Sequence, residues 1–185
     1  MGLGEVQAAL ARLYTEPAIR DMLENDPEAL QRECGLTDED LEHLTHLSAS
    51  ELEFFATSLR SKRRGEVAKL LPGTAAALGG QYRLMFNRYS DRFLPSGEQK
   101  HLEDALHFAE YLGLVDVPGK PWVASIVAYE CAWLEIVNQR RRFIVRHLQH
   151  NVRTESAHPE PANNVAIWTN HWLLGRHHWM FRLPG

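Results

Sequence analysis

The chain changes character near residue 142, and that change limits the folds open to it. Before it, nearly every segment carries apolar residues three and four apart, with short breaks. After it, Arg142 to Val152 and Val165 to Leu183 are β-branched, aromatic and interspersed with polar groups. The expected fold is mainly α with a small C-terminal antiparallel β element, an α+β arrangement. Two parts are expected: a helical domain over 1–115, then a buried helix and a β-rich region over 121–185. The tail matters because an exposed strand edge can capture an extended peptide through its unpaired backbone groups.

The helical part reads in short pieces. Leu3 to Tyr14 has an amphipathic spacing, and Glu16-Pro17 and Asp26-Pro27 each place proline in a first helical turn. Gly35 is placed to close the second of these, and Thr37 to Asp40 forms a capping-box start for a helix through Leu44. Ser48 or Ser50 caps a longer helix continuing through Lys62 to Leu71, where Pro72-Gly73 is expected to stop it. Thr74 is then expected to cap a stretch that passes a break at Gly79-Gly80 into Gln81 to Phe93. His101 to Leu114 is a further helix. Pro121 to Asn138, with Trp122, Ile126, Tyr129, Trp133 and Ile136, is the most apolar and is expected to be the central buried helix.

In the tail, Phe143 to Val152 is expected to be a strand and Glu155 to Asn164, with two prolines, a loop. Val165 to Trp168 and Leu173 to Phe181 are expected to form a hairpin or one bent strand. Trp168, Trp172, Trp179, Phe143 and Phe181 crowd this region, either packing a small sheet on the preceding helix or forming a binding surface.

Composition excludes more than it selects. The hydrophobic fraction of 44% and net charge of -4 are those of an ordinary globular chain and give no general bias toward nucleic acid or membrane. No stretch approaches the roughly 20 apolar residues of a membrane span. The first residues lack a basic region followed by an apolar run, so a cytoplasmic protein is expected. Cys34 and Cys131 form no CxxC spacing and are expected to be reduced thiols. Charge is unevenly spread, however. Met1 to Leu47 is acidic, whereas Arg60, Lys62, Arg63, Arg64 and Lys69 form one basic stretch and Arg140 to Arg142 another. Such segments suit contact within the chain or with a charged partner.

No catalytic constellation accompanies these features. The ten histidines include His43 and His46, three apart on a helix, but His147 and His150, three apart on a strand, fall on opposite faces. There is no HExxH, no GxSxG and no GxxxxGK. The expectation is therefore no catalytic residue and no metal in this chain.

Three stretches carry a resemblance: Leu13 to Arg20 with Cys34-Gly35-Leu36, Leu59 to Pro72 (LRSKRRGEVAKLLP), and His101 to Phe108. Together they resemble the small TglI-like partner subunits of multinuclear non-haem iron enzymes in ribosomal peptide biosynthesis of the 3-thiaglutamate type. The similarity spans about residues 10 to 112. It implies a heterodimer in which the other polypeptide holds the iron and activates dioxygen. This chain would bind a precursor or carrier peptide, and the pair would excise the β-carbon of a peptide cysteine. No catalytic residue carries over, and no cofactor is implied in this chain.

Peptide contact is expected on Phe143, Val145, His147 and Gln149 as the first candidate edge, and on Val165, Ile167 and Trp168 as the second. If both strands were internal, a helical groove would be the site instead. Arg60, Arg63, Arg64 and Lys69 are the expected electrostatic contacts. The alternatives are a helical DNA-binding or regulatory protein using the basic segment, and a stand-alone metalloenzyme using the histidines.

Overall fold

The computed structural model describes residues 3–152, 159–171 and 175–184. The chain is mainly α with an antiparallel sheet near its C-terminal end, as the change of periodicity predicts. It divides into two compact units, Met1–Arg63 with Ser90–Leu94, and Arg64–Tyr89 with Pro95–Gly185.

The first unit holds helices α1 (Leu3–Thr15), α2 (Pro17–Asn25), α3 (Pro27–Cys34), α4 (Asp38–Thr45) and the first part of α5 (Ala49–Leu70). Local signals set their ends. Pro17 and Pro27 open α2 and α3, where proline's missing N–H costs nothing. The Asp26 carboxylate accepts from the Ala29 N–H, and Gly35 closes α3 at φ 65°. Thr37 and Asp40 form a reciprocal capping box on α4, and Ser48 and Glu51 another on α5.

Hydrogen bonds from Thr37 and Ser48 hold the Asp40 and Glu51 carboxyls below their ordinary range. Because the folded pKa is depressed, what these caps contribute is complete above the ordinary carboxylate range. It is lost as pH falls through the depressed value. Ala9, Leu13, Ile19, Leu23, Leu30, Leu36, Leu44 and Leu52 form this unit's core.

The second unit contains the end of α5, α6 (Pro72–Leu78), a 3-10 turn (Gly79–Gln81), α7 (Tyr82–Ser90, through Tyr89), α8 (Lys100–Leu114), α9 (Val123–Val137) and the sheet. Helix α5 ends at Leu70, just before Pro72-Gly73, as expected, but a new helix begins at once. Pro72 is the first residue of α6, and Thr74, expected as a cap, lies inside it. Leu71 makes no side-chain cap. Instead the Gly73 N–H (2.7 Å), Thr74 N–H (2.8 Å) and Thr74 hydroxyl (2.7 Å) all donate to the Glu130 carboxylate of α9. At the other end Lys120 Nζ donates to the carbonyls of Ala77 and Leu78. Anion and cation thus sit at the helix ends that the peptide dipoles favour. The turn after α6 uses Gly79 at φ 55°, the expected break.

Helix α9 packs against α6, α8 and the first two strands, the central position expected of the most apolar segment. Burial pushes its Cys131 thiol up to about 12, with Glu135 and Glu130 adding to the shift. At pH 7 only about 10⁻⁵ of such a thiol is thiolate. Maleimide labelling of the native protein near neutral pH is therefore expected to modify half-buried Cys34 and to reach Cys131 only after unfolding, as read by peptide mass spectrometry.

The strands are β1 (Phe143–His150), β2 (Pro161–His171) and β3 (Gly175–Arg182), antiparallel in the order β1-β2-β3. The hairpin alternative therefore holds for β2 and β3, while Trp172, Leu173 and Leu174 lie outside the described residues. The expected loop to Asn164 is shorter than read, because β2 begins at Pro161, the first strand residue, where a missing donor is tolerated. Ile144 and Leu148 of β1 and Ala166 and Trp168 of β2 pack on Ala132 and Ile136 of α9 to form the core beneath the sheet.

Candidate functional site

Side chains alternate across a sheet, so the residues of these strands divide into two sets. One set, with Ile144, Leu148, Ala166 and Trp168, is buried against α9. The other contains Phe143, Val145 and His147 on β1, Val165, Ile167 and Thr169 on β2, and His177, Trp179 and Phe181 on β3. The register aligns them in rows, Val145–Ile167–Trp179 and His147–Val165–Phe181. Phe143 is 61% exposed, Val145 43%, Trp179 44% and Phe181 53%. An antiparallel sheet normally turns polar side chains to solvent, whereas this open face exposes several large apolar ones beside His147, Thr169 and His177.

Of the expected peptide residues, the structure brings Phe143, Val145, His147, Val165 and Ile167 onto this one face. His147 is held there by a hydrogen bond to the Asn163 side chain. Gln149 lies beyond the main register, where the pairing shifts between Leu148 and His150. Its N–H donates to the Ser125 hydroxyl of α9 at 3.1 Å. Trp168 is the correction. It is fully buried on the opposite face, against Tyr129 (ring centroids 5.4 Å) and His178 (4.9 Å), and cannot touch a peptide. The second candidate edge is corrected too, since β2 is paired on both sides and offers none. Trp179 and Phe181 were legible as aromatics but not as members of this face, which only the register reveals.

Of the two candidate edges that of β1 remains, β3 forming the other edge of the sheet, and the phase of β1 can be worked out. The Asn170 N–H donates to the Arg142 carbonyl (2.8 Å), so Arg142 and Asn170 are a hydrogen-bonded pair. Such pairs alternate along an antiparallel ladder. Ile144, Arg146 and Leu148 therefore turn their backbone groups to β2, and Phe143, Val145 and His147 turn theirs outward. The same phase follows from the Leu183 N–H to Asn163 carbonyl bond (2.7 Å) on the other side of β2. Among the described residues, the outward N–H groups of Phe143, Val145 and His147 have no partner. The Arg146 guanidinium folds over this edge and donates to the Val145 carbonyl at 3.1 Å.

Arg60, Arg63 and Lys69 of the basic stretch have partners within the chain. Arg60 pairs with Asp91 at 3.0 Å, and Arg63 donates to the Phe93 carbonyl at 2.9 Å, both holding the Ser90–Leu94 segment of the first unit. In the second unit the Arg64 carbonyl accepts from the Tyr82 hydroxyl, and Lys69 pairs with Glu66 at 2.8 Å. Burial raises the Tyr82 phenol well above its ordinary range. Among the described residues no group of three His, Cys, Asp or Glu side chains converges as a metal site. No helix is long and apolar enough to cross a membrane.

Fold and surface together describe a mainly helical protein with a three-stranded antiparallel sheet whose β1 edge has outward N–H groups without partners among the described residues and whose open face carries exposed apolar side chains. Residues 46–114 match the family model described as SCO6045-like, C-terminal domain. That similarity covers α5 to α8 and stops before α9 and the sheet. No curated protein and no solved structure matches the chain.

Proposed function

We propose that this chain is a non-catalytic partner subunit that binds a precursor or carrier peptide and forms a heterodimer with a multinuclear iron oxygenase. The pair would modify a peptide cysteine by excising its β-carbon, as in 3-thiaglutamate-type biosynthesis. Iron and dioxygen activation belong to the other subunit on this reading, and this chain's task is to hold the peptide. The observation that carries it is the β1 edge, with outward N–H groups of three alternate residues and their side chains on one apolar face. Backbone hydrogen bonds along such an edge supply affinity and the alternate side chains supply selectivity. The resemblance of Leu13 to Arg20, Leu59 to Pro72 and His101 to Phe108 to the partner subunits supplies the identity of the enzyme.

Co-expression with a candidate multinuclear iron enzyme tests the pairing. Size exclusion with iron analysis of each peak is expected to give a one-to-one complex containing iron, beside an iron-free peak for this chain alone. Separate elution of the two chains, with iron following this one, would overturn the assignment.

A further inference from the structure

The chemistry on the two sides of the β1 edge differs, and an added strand would feel both. In a sheet, residues directly opposite one another place their side chains on the same face. Peptide residues opposite Phe143, Val145 and His147 would therefore extend the open face, beside the exposed Phe143 and Val145 side chains and in line with the row through Ile167 and Trp179. The peptide residues between them would point to the α9 side, the side of Arg146. There Glu135 is shared by Arg141 at 3.3 Å and Arg146 at 3.6 Å, one carboxylate against two guanidiniums. Arg142, exposed at the start of β1, adds a third cation on the same phase. No Asp or Glu occurs in any of the three strands.

We propose that the β1 edge selects an extended acidic peptide in which apolar and carboxylate residues alternate. The apolar set would lie on the open face with Phe143 and Val145, and the carboxylate set beside Arg141, Arg142 and Arg146. This deepens the functional reading above and rests on it, since it presumes that β1 receives a peptide. The paired strand is short: at its far end the Gln149 N–H is already bound to Ser125, so the open run is Phe143 to His147. Over so short a run few backbone bonds form, and the side-chain pattern has a large share in the choice of peptide.

Fluorescence anisotropy with three labelled peptides tests it: alternating valine and glutamate, alternating valine and lysine, and the valine–glutamate composition arranged in two blocks. The alternating acidic peptide is expected to bind about tenfold or more tighter than either of the others. Arg142→Glu with Arg146→Gln should erase that preference. Val145→Pro should abolish binding, because it removes an outward N–H while leaving the ladder to β2 intact, and proline is tolerated on an edge strand. Circular dichroism of each variant checks the fold.

Equal binding of all three peptides, still sensitive to Val145→Pro, would overturn the selectivity and leave the edge standing as a peptide site. Binding that ignores Val145→Pro in a folded variant, or no binding of any peptide, would overturn the edge itself and the selectivity with it.

Discussion

Replacing Trp168 with alanine is expected to cost about 3–5 kcal/mol of stability, the range for emptying a fully buried tryptophan site. Trp168 is the largest fully buried side chain and lies on the central strand, opposite Ile144 on β1 and His178 on β3. Its ring packs edge-on against Tyr129 of α9, so the cavity would open between sheet and helix, where neither can collapse without breaking the ladder. At roughly 2–4 °C per kcal/mol for a chain of this length, the thermal midpoint should fall by roughly 6–20 °C. The indole Nε1 is buried with no hydrogen-bond partner among the described residues. Trp168→Phe should therefore cost much less, because it keeps most of the ring and removes a donor whose desolvation is uncompensated, a penalty of about 1–3 kcal/mol. Thermal melts followed by circular dichroism distinguish the cases. A Trp168→Ala variant within about 0.5 kcal/mol of the parent, the size of a typical surface change, would mean that the sheet is not built on this residue. Any peptide-binding defect of that variant should track its loss of folding.

Much of the helical body is legible from the residues because its signals are local. Thr37 with Asp40, Asp26 before Pro27, and Gly35 each lie within a few residues of the end they set. The start of α6 is less legible, for the complementary reason. Pro72-Gly73 reads as a stop, which it is for α5, and what also makes it a start is a carboxylate 57 positions away on α9. The tail shows the same contrast. Its β-branched composition marks strands, but Val165, Ala166, Ile167 and Trp168 are apolar at every position. Alternation therefore cannot say which pair faces the core. The register decides it, burying Ala166 and Trp168 and leaving Val165 and Ile167 on the open side. For the candidate site, this separates the residues that line the open face from the one that supports it. Arg60 and Arg63 teach a related point. A run of cations looks like a surface for a partner until the Asp91 carboxylate and Phe93 carbonyl that receive two of them are known.

Glu130→Ala should have the second large effect, about 2–4 kcal/mol, although the residue is remote in sequence from the helix it holds. Its carboxylate accepts three hydrogen bonds from the first turn of α6, two from backbone N–H groups and one from the fully buried Thr74 hydroxyl. Removing it would leave these donors desolvated, and the loss of a charge-assisted acceptor is dearer than that of a neutral one. Nothing nearby can replace it, because α6 has no cap of its own. Gly73 belongs to the same device: a Cβ there would stand 3.0 Å from Glu130 Oε1 and 3.2 Å from Ile126 Cγ2. Gly73→Ala should thus force the carboxylate off its donors and destabilise in the same direction. Glu130→Gln keeps one carbonyl acceptor and should cost less than alanine, and Thr74→Val removes only the hydroxyl bond. If the three bonds form one unit, Glu130→Ala combined with Thr74→Val should cost little more than Glu130→Ala alone, whereas independent sites would add. Urea denaturation of the single and double variants measures that difference. Additivity would show that the Thr74 hydroxyl contributes apart from Glu130 and that the three bonds are not one unit.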